Sequence, residues 1–150
     1  MPKLNGVIPT NGLTFKIGTK GKASVTTDMK TVKDIEGLTP SIDGNVEEWN
    51  PMDTHGWVRR LLTGKSFSIS MSGKRNYGDP GNDYVASLAL VIGQEANSKF
   101  EIEFPNGDKL SFDCVVNVTT PFGGDSTAPN TLEFEVLSDG EPMYIFANAN

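Results

Sequence analysis

Three separate segments of this chain alternate strictly between apolar and polar residues, and that pattern restricts its fold more than any other feature. Residues 66–72 read SFSISMS, with Phe67, Ile69 and Met71 on one side and serines on the other. Residues 99–104 read KFEIEF, setting Phe100, Ile102 and Phe104 against Lys99, Glu101 and Glu103. Residues 131–136 read TLEFEV, setting Leu132, Phe134 and Val136 against Thr131, Glu133 and Glu135. A period of two is the spacing of a strand with one face in a core and the other in water, so each segment predicts a half-buried strand. A fourth segment, 111–119, buries Phe112, Cys114, Val116 and Val118 by the same rule. Val115 makes its other face partly apolar as well, which predicts a central or covered strand.

Residues 105–108, Pro-Asn-Gly-Asp, join the second segment to the fourth. Asn-Gly supplies the two left-handed residues of a type I′ hairpin turn. Strands are also predicted at 13–17 and 31–38, with 45–49 returning antiparallel to the latter through a turn at 41–44. One segment departs from the strand pattern. From Tyr84 the apolar positions are Tyr84, Val85, Leu88, Ala89 and Ile92, the spacing of a single helix face. Asp79-Pro80 or Asn82 offers its cap and Gly93 its stop. One short helix among about seven strands predicts an all-β domain with one helix, a β-sandwich or half-barrel whose helix covers an open side or edge. At 150 residues the chain reads as a single domain, long enough to bury a core without disulfides or metal. Residues 1–12 and 146–150 read as a flexible N-terminal arm and C-terminal tail.

Charge and residue inventory exclude several function classes. A net charge of -6 is a poor basis for gripping nucleic acid, which needs clustered cations to neutralise phosphate. No apolar run approaches the ~20 residues needed to span a bilayer, and residues 1–12 lack the apolar stretch of a secretory signal, so a chain that is neither membrane-bound nor exported by the general route is expected. A single cysteine, Cys114, and a single histidine, His55, leave no disulfide within the chain and no Cys/His zinc site. They supply a Ser-His-Asp triad only if that one histidine serves. Gly64-Lys65-Ser66 resembles the end of a phosphate-binding loop, but Arg59 stands where the first glycine belongs and a strand follows instead of a helix. Glu101, Glu103, Glu133 and Glu135 have the spacing of a solvated strand face more than that of a glycosidase pair. Asp79, Asn82 and Asp83 lack calcium-loop spacing and read as helix-capping residues. No catalysis, metal or cofactor is expected.

Residues 50–64 form a long predicted loop. It carries Met52, Trp57, Val58, Arg59, Arg60, Leu61 and Leu62, close after Trp49. These side chains either fold back on their own domain or serve as anchors in an interface. The mixture of Trp and Arg favours the interface.

Taken in order, these pieces resemble the major tail tube protein of long-tailed bacteriophages, a family related to the inner tubes of contractile injection systems. The resemblance runs from about residue 31 to 142. It rests on Ile35-Glu36-Gly37-Leu38-Thr39-Pro40, the polar loop ending in Thr63-Gly64-Lys65-Ser66, the SFSISMS strand, the helix, the Phe104-Pro105-Asn106-Gly107 hairpin and a last strand running into Ser138-Asp139-Gly140-Glu141-Pro142. The resemblance implies hexameric rings in which a sheet from each subunit joins its neighbours in one continuous barrel. Stacked rings form a virion tail tube, assembled in the host cytoplasm, through which DNA passes without specific binding. It also implies partners among other tail proteins: tape measure, terminator and distal tail. In that setting the loop with Trp49, Met52, Trp57, Arg59, Arg60, Leu61 and Leu62 would reach the adjacent ring, and Glu101 and Glu103 are the candidates to face the lumen. The competing reading is a small β-sandwich binding module, for instance for carbohydrate, which would show aromatic residues on a flat exposed strand face.

Overall fold

The structure, a computed structural model, describes residues 4–147. It contains eight strands and one α-helix: β1 (Thr14–Gly18), β2 (Met29–Thr31), β3 (Ile35–Trp49), β4 (Arg59–Lys74), α1 (Pro80–Ser87), β5 (Asn97–Glu103), β6 (Lys109–Thr120), β7 (Thr131–Ser138) and β8 (Met143–Ile145). The strands form one antiparallel sheet in the order β2-β1-β5-β6-β7-β4-β3, with β8 also paired to β6. The long β6 belongs to both halves of this sheet. Its first part, to Val115, pairs with β5, and from Cys114 onward it pairs with β7. Residues from both halves meet in one core: Phe15, Ile17, Phe100 and Ile102 from one, Ile69, Met71, Leu132 and Phe134 from the other, with Phe112, Cys114 and Val116 of β6 between them. Every inward residue predicted from the alternation is buried or half-buried. An all-β fold with one helix is therefore what the period-two segments produce.

The structure corrects the sequence reading in five places. The strand predicted at 31–38 is broken, with β2 ending at Thr31 and β3 beginning at Ile35. No turn occurs at 41–44: β3 runs unbroken for 15 residues and pairs with β4 from Ile35 to Trp49. Gly44, which read as a turn residue, and Pro40, just before the predicted turn, are accommodated inside the strand. Proline is tolerated on an edge strand, where its missing N–H faces away from the partner. A Cβ at Gly44 would sit 2.7 Å from Leu62 Cδ1, so glycine leaves room for that side chain. The loop predicted at 50–64 ends at Val58, because Arg59 to Gly64 are already in β4.

The helix occupies 80–87 instead of 84–92. Asp79 caps it by accepting from the Asn82 N–H at 3.1 Å, and Pro80 takes the first helical position. Val85 and Leu88 enter the core, whereas Leu90 and Ile92 are almost fully exposed. The 105–108 connection is not a type I′ turn, since Gly107 alone there has positive φ. Pro105 fixes φ near -65°, which suits a type I turn, and Gly107 then takes the left-handed position of a bulge. The Gly107 N–H donates to Phe104 O at 2.8 Å and the Phe104 N–H to Asp108 O at 2.8 Å.

Asn82 holds the start of β3 against the end of β4. It is fully buried, its Oδ1 accepts from Arg75 Nη1 and the Asn76 N–H, and its Nδ2 donates to Lys33 O and Lys74 O. Deleting that amide orphans backbone groups that water cannot reach, each costing about 1–3 kcal/mol. Asn82→Ala is expected to lower unfolding free energy by about 3 kcal/mol in urea titration, with an unchanged m-value.

Candidate assembly surfaces

Strand β4 pairs with β7 only from Ser68 to Lys74. Beyond that point β3 and β4 pair with each other alone and leave the body as a two-stranded arm, from Ile42 opposite Phe67 to Trp49 opposite Arg59. At ~3.3 Å per residue the arm is roughly 23 Å long. Its tip, between β3 and β4, is closed by its own hydrogen bonds: Thr54 Oγ1 donates to Pro51 O and Trp57 O, and Asn50 Nδ2 donates to Gly56 O. His55 and Gly56 take left-handed conformations there. An isolated two-stranded hairpin is marginal in water, so an arm of this kind gains from a surface to lie on.

The residues singled out in the sequence lie along this arm. Trp49 and Arg59 face each other, with the guanidinium 5.6 Å from the indole ring. Arg60 Nε donates to Glu48 Oε2 at 2.8 Å. Leu61 lies opposite Glu47, and Leu62 opposite Val46. At the tip Met52 and Trp57 are 95% and 78% exposed. None of these side chains belongs to the buried core cluster or is among the hydrophobic residues packed against it. Sequence reasoning missed Ile42 and Val46, also exposed on the arm, because they fell within the supposed turn and its return strand.

Besides the short outer sides of β2 and β8, the body offers two longer strand edges without partners among the described residues. One is the outer side of β3 along its whole length. The other is β6 beyond Val115, where β5 has ended opposite Asn97, so that Val116 to Thr120 pair with β7 alone. These edges border the four-stranded group β3-β4-β7-β6. The face of that group turned away from the core carries hydroxyls and carboxylates, and a shallow cavity of about 480 Å³ there is lined by Thr39, Ser70, Ser72, Thr119, Glu133 and Glu135, with no lysine or arginine.

Glu101 and Glu103 lie on the other half of the sheet, among cations. Glu101 is opposite Lys16 and 3.7 Å from Lys109 Nζ, and Glu103 is opposite Lys109. Lys99 Nζ donates to Asp113 Oδ1 at 2.8 Å on the same face. This surface is charge-balanced, whereas the hydroxyl face is not.

Other candidate groups have structural surroundings. Cys114 is buried, and desolvation pushes its thiol up to about 12. Gly64, Lys65 and Ser66 lie within β4, and no helix follows them directly. Among the described residues, no three metal-binding side chains cluster, and no helix is long and apolar enough to cross a membrane. Of the expected flexible ends, residues 1–3 and 148–150 lie outside the described residues. Leu4, Val7 and Ile8 are exposed. The C-terminal side is tied down as far as Ala147. Asp108, itself buried, accepts from the Ala147 N–H and from Tyr144 Oη, both at 2.9 Å. The Ala147 N–H holds the Asp108 carboxyl below its ordinary value of 3.8.

No protein-family model matches the sequence, and no curated protein matches it. Solved structures do. A chain in the tail of an empty gene transfer agent particle, determined by helical refinement with C6 symmetry, matches with a TM-score of 0.71 at 16% identity, covering 93% of this chain and 100% of that one. The chain has the fold of that tail subunit. A chain in the virion of a native gene transfer agent particle matches with a TM-score of 0.67 at 17% identity, over 93% of this chain and 100% of that one.

Because the folded Asp108 value lies below the unfolded one, its contribution is present above the ordinary carboxylate value and is lost as pH falls through the lowered one. In hydrogen exchange at neutral pH, Asp108→Asn is expected to speed exchange at Tyr144 to Ala147. Measured against the intrinsic exchange rate at each pH, protection of the wild-type segment should fall only below pH 3.8.

Proposed function

We propose that this protein is the subunit of a phage-type tail tube, in which six copies form a ring and stacked rings conduct DNA. The observation that carries the reading is the pair of free edges bordering β3-β4-β7-β6. Neighbours in that group alternate in direction, so β3 and β6 run oppositely. When the group is repeated side by side, β3 of one copy therefore meets β6 of the next in the antiparallel sense, and a closed ring leaves neither of these two edges free. Six such groups, their strands spaced ~4.8 Å apart and tilted ~40°, give a backbone radius of about 24 Å, wide enough for a hydrated duplex. The fold likeness to a subunit of a C6 tail supports this number of copies.

In this arrangement the hydroxyl face of the four-stranded group lines the bore, with Glu133 and Glu135 repelling phosphate and the serines offering no charge to hold it. Glu101 and Glu103 are weaker lumen candidates, because their half of the sheet lies outside this group and their charges face lysines. The arm bridges to the adjacent ring through Met52, Trp57, Leu61 and Leu62. Tape measure, terminator and distal tail proteins are the partners at the tube's ends, and the virion tail is its location. No catalytic role is assigned. The binding-module reading has no support from Phe67, Phe100, Phe112 and Phe134, which are turned into the core or packed against it.

Negative-stain microscopy of the purified protein tests the proposal: tubes or six-fold rings are expected, and a monodisperse monomer at high concentration overturns it. Replacing Trp57, Leu61 and Leu62 together with serine should leave circular dichroism and melting temperature unchanged while abolishing tubes. Loss of the fold would place these residues in the core. Tubes of the Glu133→Lys/Glu135→Lys variant should retain short duplex DNA on sedimentation at low salt and release it at high salt. Tubes of Glu101→Lys/Glu103→Lys should not retain it.

A further inference from the structure

The outer side of β3 is the longest unpaired edge among the described residues, and an edge of this length is open to pairing with a second copy of itself. Near its middle stands Pro40, opposite Ile69 of β4. A proline fits a ladder only with its ring nitrogen on the unpaired side. Backbone direction alternates along a strand, so with the Pro40 nitrogen outward Leu38 and Ile42 also turn their backbone groups outward, while those of Thr39 and Ser41, opposite Ser70 and Ser68, turn toward β4. The outward row therefore lacks a donor between those of Leu38 and Ile42.

That gap affects the two possible neighbours unequally. When two β3 strands pair about a twofold axis, each copy brings its own Pro40, so the gap enters the interface twice in every register that spans residue 40. With the axis at Pro40 itself, one pair loses both of its hydrogen bonds. When β3 meets the free part of β6, the gap enters once. Strand β6 is also already irregular there, with its register against β7 shifting between Val118 and Thr120.

We infer that Pro40 determines the partner of this edge, rejecting β3 of a second copy and admitting β6. The inference rests on the ring reading for the identity of the accepted neighbour. Rejection of a second β3 follows from the edge alone.

The test uses the full chain carrying Ser41→Cys, treated with a short bis-maleimide. In a β3-to-β3 pair the two cysteines come within reach of each other. In a β3-to-β6 junction each faces β6, whose Cys114 is buried on the core side. With Pro40 in place, little covalent dimer is expected. Adding Pro40→Thr restores the donor in each copy and should raise dimer yield about tenfold, the equivalent of two recovered hydrogen bonds of modest net strength. Pro40→Ala should do the same and serves if threonine perturbs the strand. Unchanged dimer yield in variants that melt like the parent overturns the role of Pro40 and leaves the tube proposal standing. Absence of rings in the wild type overturns the tube proposal, and the cross-linking comparison still reads on Pro40.

Discussion

A strand must satisfy backbone donors and acceptors along both of its sides, and among the described residues of the four-stranded group β3-β4-β7-β6 the longest sides left unsatisfied next to the body are the outer side of β3 and the far end of β6. The rest of the architecture serves this arrangement. The core aligns β4 and β7 between the two free edges, α1 closes one side of the core, and Asn82 fixes where β3 begins and β4 ends. Backbone groups left to water on an isolated subunit become a specific join once a second edge of opposite direction is brought up to them.

The polar face of β3-β4-β7-β6 follows from the same alternation that builds the core. Each inward Ile69, Met71, Phe134 or Val136 forces its neighbours Ser70, Ser72, Glu133 and Glu135 outward. A sequence that packs this core with period two therefore also chooses what the opposite surface carries, and here it carries small hydroxyls and unpaired acids. The other half of the sheet obeys the same geometry with a different choice, placing Lys16, Lys99 and Lys109 beside Glu101, Glu103 and Asp113. The two outer faces thus have opposite electrostatic characters.

Much of the fold was legible because burial and periodicity agree at Phe67 to Met71, Phe100 to Phe104 and Leu132 to Val136. The failures arose where local turn chemistry competed with long-range pairing. Residues 41–44 read as a turn, and nothing local reveals that β4 would pair with the strand straight through them and through Pro40. At 105–108 the Asn-Gly signal was overridden by the proline just before it, whose fixed φ selects another turn. The arm was visible only as too many apolar residues in a stretch expected to be a loop. Its extension through Ile42 and Val46 depended on the strand continuing. The hydroxyl face was spelled out in SFSISMS, yet the sequence alone gives no strand order, so the weight first placed on Glu101 and Glu103 had no topology behind it.

The ladder of the arm also limits how the protein can change in length. Since side chains switch sides at every position, inserting one residue into each of β3 and β4 would turn Trp57 and its neighbours to the opposite side of the ribbon. Two in each would advance the tip by about 6.6 Å and keep its orientation. Descendants of this chain can therefore lengthen their reach only in double steps, and any spacing that the tip gauges would vary as a staircase instead of a continuum.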